Sequence, residues 1–172
     1  MLIAMAGLPG TGKSALARAL AAALPAVVLD KDCVRAALFP PEEVEYTTSQ
    51  DDFCVDVLLQ AAAYLLRKDP AKIVIIDGRT FSRHTQVAAL VRAADHIGAP
   101  LELIECVCSA ETAIERLNRD RATGCHPAAN RDAALYDAVK ARFEPLVIPH
   151  LVVDTDRPLE TCLAACLHYL RA

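Results

Sequence analysis

Apolar and polar positions along this chain follow two periods, one near two residues and one near 3.6, and the two alternate from end to end. Short apolar runs at 2–6, 26–29, 73–76, 101–107 and 151–153 predict five strands. Helical spacing predicts helices at 13–24, 32–38, 50–68, 83–97, from 109 towards 121, 132–143 and 159–170. The segment 50–68 shows the pattern well, with Phe53, Val57, Leu58, Ala61 and Leu65 on one stripe. Breakers fall between the elements: Pro25, Pro40-Pro41, Asp69-Pro70, and Gly98 with Pro100. Ser109 reads as a helix N-cap. Residues 42–49 are polar and irregular, and 123–130, with Gly124 and Pro127, read as a mobile loop.

Strands that are apolar on both faces and joined by helices pack as a parallel sheet with helices on each side. The expected architecture is therefore a three-layer α/β domain, and 172 residues suit one domain spanning 1–172. In such sheets ligands bind beyond the carboxyl ends of the strands, so those ends become the place to look for chemistry.

Composition narrows the partners. With 54% hydrophobic residues, bulk disorder is excluded. A net charge of −4 argues against a dedicated duplex-binding face, although a short basic groove stays compatible with it. Of 18 basic residues only five are Lys; the Arg bias suits bidentate contacts to phosphate, and high-GC coding produces the same bias. No apolar run reaches the ~18 residues of a membrane span, and the first six residues read as a buried strand rather than a signal peptide. The seven cysteines sit mostly in apolar surroundings, as expected for reduced core thiols in a cytoplasmic protein. Cys106 and Cys108, two apart, are expected on one strand face, and Cys125-His126 lacks a second pair at zinc-ligand spacing.

The first strand runs into Gly7-Leu8-Pro9-Gly10-Thr11-Gly12-Lys13-Ser14, the G-x-x-x-x-G-K-S pattern of a P-loop (Walker A). Its glycines permit a turn whose N–H groups converge on phosphate oxygens, and the helix that follows adds the positive end of its dipole. Lys13 then reaches the β- and γ-phosphates and Ser14 ligates Mg²⁺. A Gly-rich turn without a ligand is the alternative. The third strand ends Ile73-Val74-Ile75-Ile76-Asp77, which places a carboxylate where P-loop proteins hold Mg²⁺ through water.

The second strand ends Asp30-Lys31-Asp32-Cys33-Val34-Arg35. Phosphoryl transfer to an alcohol needs a carboxylate that orients the hydroxyl and takes its proton. Asp32 is the first candidate base and Asp30 the second; either would also cap the short helix after it. Arg35, one turn on, either pairs with Asp32 or grips an anionic substrate group. Tyr46 lies in the stretch 42–52, which either covers the acceptor or forms a plain surface loop, and Arg79 and Arg83 follow the metal carboxylate as further substrate contacts. Arg116, Arg119 and Arg121 precede the Gly/Pro loop and suit a lid over the phosphates, around 116–131; a solvated charged face is the alternative. Arg116 and Arg119 share a helix face and Arg121 sits off it, yet Arg121 is the expected phosphate contact, with Arg119 as its partner.

Taken together, Gly7–Ser14, Asp30-x-Asp32-x-x-Arg35, Tyr46-Thr47, Ile73–Asp77 with Gly78-Arg79-Thr80-Phe81, Arg116–Arg121 and Arg142-Phe143-Glu144-Pro145 resemble the small P-loop kinases of the AAA-domain, zeta-toxin-like superfamily. Polynucleotide kinases, chloramphenicol phosphotransferase and gluconate kinases belong there. The resemblance implies a nucleotide kinase-like five-stranded sheet of order 2-3-1-4-5, a lid, and phosphorylation that depends on ATP and Mg²⁺. It places the base on Asp32, a substrate-phosphate contact on Arg35 and the lid arginine on Arg121. Many relatives carry Asp-x-Thr-Asn or Asp-Ala-Thr after the third strand, where this chain reads Asp77-Gly78-Arg79-Thr80. The leading expectation is a monomeric or homodimeric kinase acting on a hydroxyl-bearing small molecule. A 5′-hydroxyl polynucleotide kinase and a nucleotide-binding regulator of toxin-like type are the alternatives.

Overall fold

The structure is a computed structural model and describes residues 1–123 and 132–171. Its centre is β1 (Leu2–Ala6), five residues with no solvent exposure at all. Nothing in that run is polar, so it suits only the middle of a sheet covered on both faces. β3 (Val74–Asp77) pairs with it on one side in the register Leu2↔Val74, and β4 (Leu101–Val107) on the other in the register Leu2↔Leu101. β2 (Val27–Asp30) adds to β3 with Asp30 opposite Asp77, and β5 (Leu151–Asp154) adds to β4. All pairs are parallel and the order is β2-β3-β1-β4-β5.

Side chains of successive strand residues point to opposite faces, so each strand feeds two cores. On one face Leu2, Ala4, Ala6, Val74, Ile76 and Leu103 pack with Leu58, Ala62 and Leu66 of α3 (Thr48–Lys68) and Val87 and Leu90 of α4 (His84–Ile97). On the other, Ile3, Met5, Ile75, Ile104 and Cys106 pack with Leu16, Ala17 and Leu20 of α1 (Lys13–Ala23) and Cys162 and Cys166 of α7 (Leu159–Tyr169). Each fully buried Leu or Ile contributes about 1.5–3 kcal/mol of transfer free energy, which is why the sheet centre tolerates no polar substitution. A third, smaller cluster joins Ala113 and Leu117 of α5 (Ala110–Thr123) to Tyr136 of α6 (Ala133–Lys140) and reaches Leu8 of the glycine loop.

Capping explains where the helices begin. α2 (Lys31–Leu38) starts one residue early because the Asp30 carboxylate accepts from the Asp32 and Cys33 amides at 2.7 and 3.1 Å. α3 starts at Thr48 because Thr47 caps it through the Gln50 amide. Ser109 does accept from the Thr112 amide, at 3.2 Å. The long helix expected over 132–143 stops at Lys140, and a turn then carries Glu144 onto α4. There the Glu144 carboxylate accepts the His84 amide at 2.6 Å, and Pro145, which disfavours helix in the residue before it, keeps the segment extended. Cys106 is buried in the second core, whereas Cys108 lies past the end of β4 and packs with the third cluster instead. The expected loop at 123–130 and Cys125-His126 fall almost wholly outside the described residues. Among the described residues no helix is long and apolar enough to cross a membrane.

Candidate active site

The carboxyl ends of β1, β2, β3 and β5 open into one cleft of about 710 Å³. Gly7–Ser14 wraps from β1 into α1 on its floor. Two positions in that turn admit only glycine. Gly7 has φ 126°, and a Cβ there would run into the Cys106 carbonyl; Gly10 has φ 79°, and a Cβ would strike the Ala113 carbonyl of α5. The loop therefore packs backbone to backbone on β4 and α5. Lys13 is buried at the start of α1, and its Nζ donates to the carbonyls of Gly7 and Leu8 at 2.9 and 2.7 Å. Thr11 Oγ1 closes the turn onto the Leu8 carbonyl at 2.8 Å.

Asp77, at the end of β3 and only 1% exposed, sits against this loop. Burial pushes its carboxyl above the ordinary value, while the Ser14 hydroxyl and the Gly78 amide, both donating to it, pull the other way. Its Oδ1 is buried without a hydrogen-bond partner. A desolvated carboxylate with an unmatched oxygen beside a serine hydroxyl fits Mg²⁺ on that ground. No group of three or more His, Cys, Asp or Glu side chains among the described residues forms an all-protein metal cage.

The second wall of the cleft belongs to α2 and α3. Asp32 is 7% exposed, and its Oδ1 receives Arg35 Nη1 at 2.7 Å and lies 2.9 Å from Lys31 Nζ. Both contacts are to Oδ1, so one oxygen of this carboxylate fixes its orientation. Asp30 spends Oδ1 on the two amides of α2 and acts as the helix cap. Arg35 is further held by Asp51 through Nη2 and stacks 5.1 Å from the centre of the Tyr46 ring. Asp51 also receives Lys31 Nζ at 2.6 Å, and Arg79 Nη1 lies 2.9 Å from its Oδ2 without hydrogen-bond alignment. Arg79 Nη2 pairs with Asp52. Burial lowers the Lys31 and Arg79 pKa values, and neighbouring carboxylates oppose the shift.

On the opposite rim Arg116 of α5 donates to the Thr155 carbonyl at 2.8 Å and to its hydroxyl at 3.1 Å, just beyond β5. The Thr155 hydroxyl in turn donates to the Thr11 carbonyl at 3.0 Å, which ties this rim to the glycine loop. Arg116 and Arg119 line the cleft; Arg121 is exposed on another face of α5 and does not. A helix turns 100° per residue, so Arg121 lies about 140° around the axis from Arg116.

The cleft thus gathers Pro9, Gly10, Gly12, Lys13, Ser14, Asp32, Arg35, Tyr46 and Arg119 from the residues expected by sequence. Gly7, Leu8 and Thr11 lie behind it in the loop, and Asp77 touches it through Ser14. Arg79 lines a separate cavity of about 60 Å³ between α3 and α4, and Arg83 is exposed at the start of α4. The sequence did not mark out Lys31, Asp51 or Asp52, and it favoured Arg121 over Arg116. The only local signal for Asp51 was an acid in the first turn of a helix.

A parallel sheet of order 2-3-1-4-5, a glycine loop with Lys and Ser after its central strand, and a carboxylate ending the adjacent strand define the kinase-like P-loop fold. Residues 2–146 match the family described as AAA domain, and the chain belongs to that family. No curated protein sequence matches it significantly. Many solved structures share the fold, three of them as follows. A candidate kinase from Chloroflexus aurantiacus has a TM-score of 0.75 at 23% identity, with 97% of this chain and 96% of that one covered. Mycobacterium tuberculosis APS kinase CysC, in complex with AMPPNP and APS, also has a TM-score of 0.75, at 18% identity over 99% and 97% of the two chains. A gluconokinase from Sinorhizobium meliloti 1021 has a TM-score of 0.66 at 19% identity over 96% and 89%.

Proposed function

We propose that this protein is an ATP-dependent phosphotransferase that moves the γ-phosphoryl group of MgATP to a hydroxyl of a small molecule. The observation that carries the reading is the state of Asp32. It lines the same cleft as Lys13, and Arg35 and Lys31 both hold its Oδ1 rather than its Oδ2. A carboxylate held in this way is oriented by one oxygen and accepts a proton with the other. Asp32 Oδ2 takes the proton of the acceptor hydroxyl, the acceptor oxygen bonds to the γ-phosphorus, and the bond from that phosphorus to the β-bridging oxygen breaks, releasing ADP.

The glycine loop amides, the α1 N-terminus and Lys13 hold the phosphate chain. Ser14 and Asp77 would hold Mg²⁺, which neutralises charge on the phosphate oxygens when bound. Arg116 and Arg119, on the first part of a lid at about 116–131, face the phosphates and exclude water; residues 124–131 of that lid lie outside the described residues. The similarity to a structure in complex with AMPPNP supports the nucleotide.

The test is an ADP-release assay on MgATP with a panel of hydroxyl acceptors, beside calorimetry of MgATP binding. Acceptor-dependent ADP release is expected. Tight MgATP binding with no acceptor raising ADP release above background would overturn the reading. Because Arg116 rather than Arg121 lines the cleft, Arg116→Ala should weaken MgATP binding by about tenfold or more, as expected on losing a charge-assisted contact, and Arg121→Ala by much less. Equal losses in the two variants would remove Arg116 from that role.

A further inference from the structure

Three cations with little exposure gather at the acceptor side, at 6%, 2% and 3%: Lys31 and Arg35 line the cleft, and Arg79 lies behind them against the neighbouring cavity. Cations buried this deeply beside a phosphate-transfer site would ordinarily mark a pocket for an anionic acceptor. Here the anion position is already filled from within the chain. The Asp51 carboxylate sits between all three, paired with Lys31 Nζ at 2.6 Å, with Arg35 Nη2, and with Arg79 Nη1 at 2.9 Å. Asp32 takes the other guanidinium nitrogen of Arg35, and Asp52 takes the other nitrogen of Arg79. Three positive charges therefore meet three negative ones. The open face of Arg35 is in addition shielded by the Tyr46 ring.

Resting on the kinase reading above, we propose that Asp51 is a specificity-determining residue, a resident carboxylate that neutralises the acceptor pocket and selects an uncharged polyhydroxyl acceptor. A phosphate, sulfate or carboxylate on the acceptor would have to displace Asp51 from three cations or lie against it and Asp32. Displacement is opposed because Asp51 is tethered in the first turn of α3, where the helix dipole also favours a carboxylate. Lying alongside places like charges together in a poorly hydrated pocket. Neutral hydroxyls meet neither cost. They can donate to Asp51 and to Asp32 Oδ2 without disturbing any ion pair.

The experiment has two readouts on the full chain. The first titrates sodium sulfate, at constant ionic strength, into protein saturated with Mg²⁺ and AMPPNP, so that the phosphate loop is occupied. Wild type should show no saturable sulfate binding, and Asp51→Asn, confirmed folded by circular dichroism, should bind sulfate at least about tenfold more tightly. Saturable binding to wild type with a Kd at or below about 1 mM, or equal affinity in the two proteins, would overturn the proposal. The wild-type arm decides even if the variant does not fold. The second readout is ADP release with matched acceptors, glucitol against gluconate and inositol against inositol monophosphate. Wild type should prefer the neutral member, and Asp51→Asn should shift the kcat/KM ratio towards the anion by about tenfold or more. Preference of wild type for the anionic member would overturn the proposal. Loss of all acceptor-dependent ADP release would instead strike the kinase reading, while the sulfate titration still decides whether Asp51 is the resident anion.

Discussion

Replacing Asp32 with Asn is expected to lower phosphoryl transfer by about 10²–10⁴ while MgATP affinity changes little. Asn preserves the shape of the side chain and removes the proton acceptor. It also removes the negative charge beside Arg35 Nη1 and Lys31 Nζ, so the variant should unfold at a lower temperature, and rates must be taken well below that transition. The comparison that isolates chemistry from folding is Asp30→Asn. Asp30 caps α2 through two amides, so its loss should cost stability on the order of 1 kcal/mol or less, since Asn also caps well, and should leave transfer nearly intact. Single-turnover ADP formation together with calorimetric MgATP binding separates the two. Retention of full transfer by Asp32→Asn would take the base away from this residue.

Asp77→Asn should change stability and activity in opposite directions. Burial raises the Asp77 pKa above the ordinary 3.8, so the folded chain holds a proton on this carboxyl more readily than the unfolded chain does. Between the unfolded and folded values the folded state binds more protons, and stability falls as pH rises through that window. Above it the buried charge is a standing cost that Asn does not carry. Without metal at neutral pH the variant should therefore melt at a higher temperature than wild type, and the difference should shrink as pH drops through the window. With MgATP the order should reverse, because Asn offers the cation no charge. Transfer should fall by about 10² or more, the loss of several kcal/mol of charge stabilisation. Melting curves with and without MgATP across pH 3–8 check this; a variant less stable than wild type in the absence of metal would show that the Asp77 charge is compensated.

Much of this architecture was readable from the chain because its causes are local. The run Leu2–Ala6 contains no polar atom outside the backbone, the turn Gly7–Ser14 needs its glycines in place, and the Asp32–Arg35 pair is a one-turn neighbour relation. The strand order followed from resemblance rather than from periodicity, which says nothing about which strand lies beside which. What stayed hidden depends on distance in sequence. Arg79 meets Asp52 from 27 residues away, His84 is capped by Glu144 from 60 away, and Asp51 finds its three cations only when α2, α3 and the turn after β3 are packed together. A stretch of loop followed by a helix looks the same whether its first acids face water or a buried guanidinium. Which of Arg116, Arg119 and Arg121 faces the cleft stayed hidden for a related reason: helical phase separates their faces, but only the packing of α5 on the glycine loop tells which face looks inward.

The meeting of Gly10 with the Ala113 carbonyl has a mechanical side. Two main chains in contact there leave no side chain between them to yield, so α5 cannot slide along the loop without dragging it. A turn of α5 about that contact would move Arg116 least, and Arg119 and Arg121 progressively more. Such a stroke is largest at the tip and smallest near Arg116, which its bonds to Thr155 also hold in place.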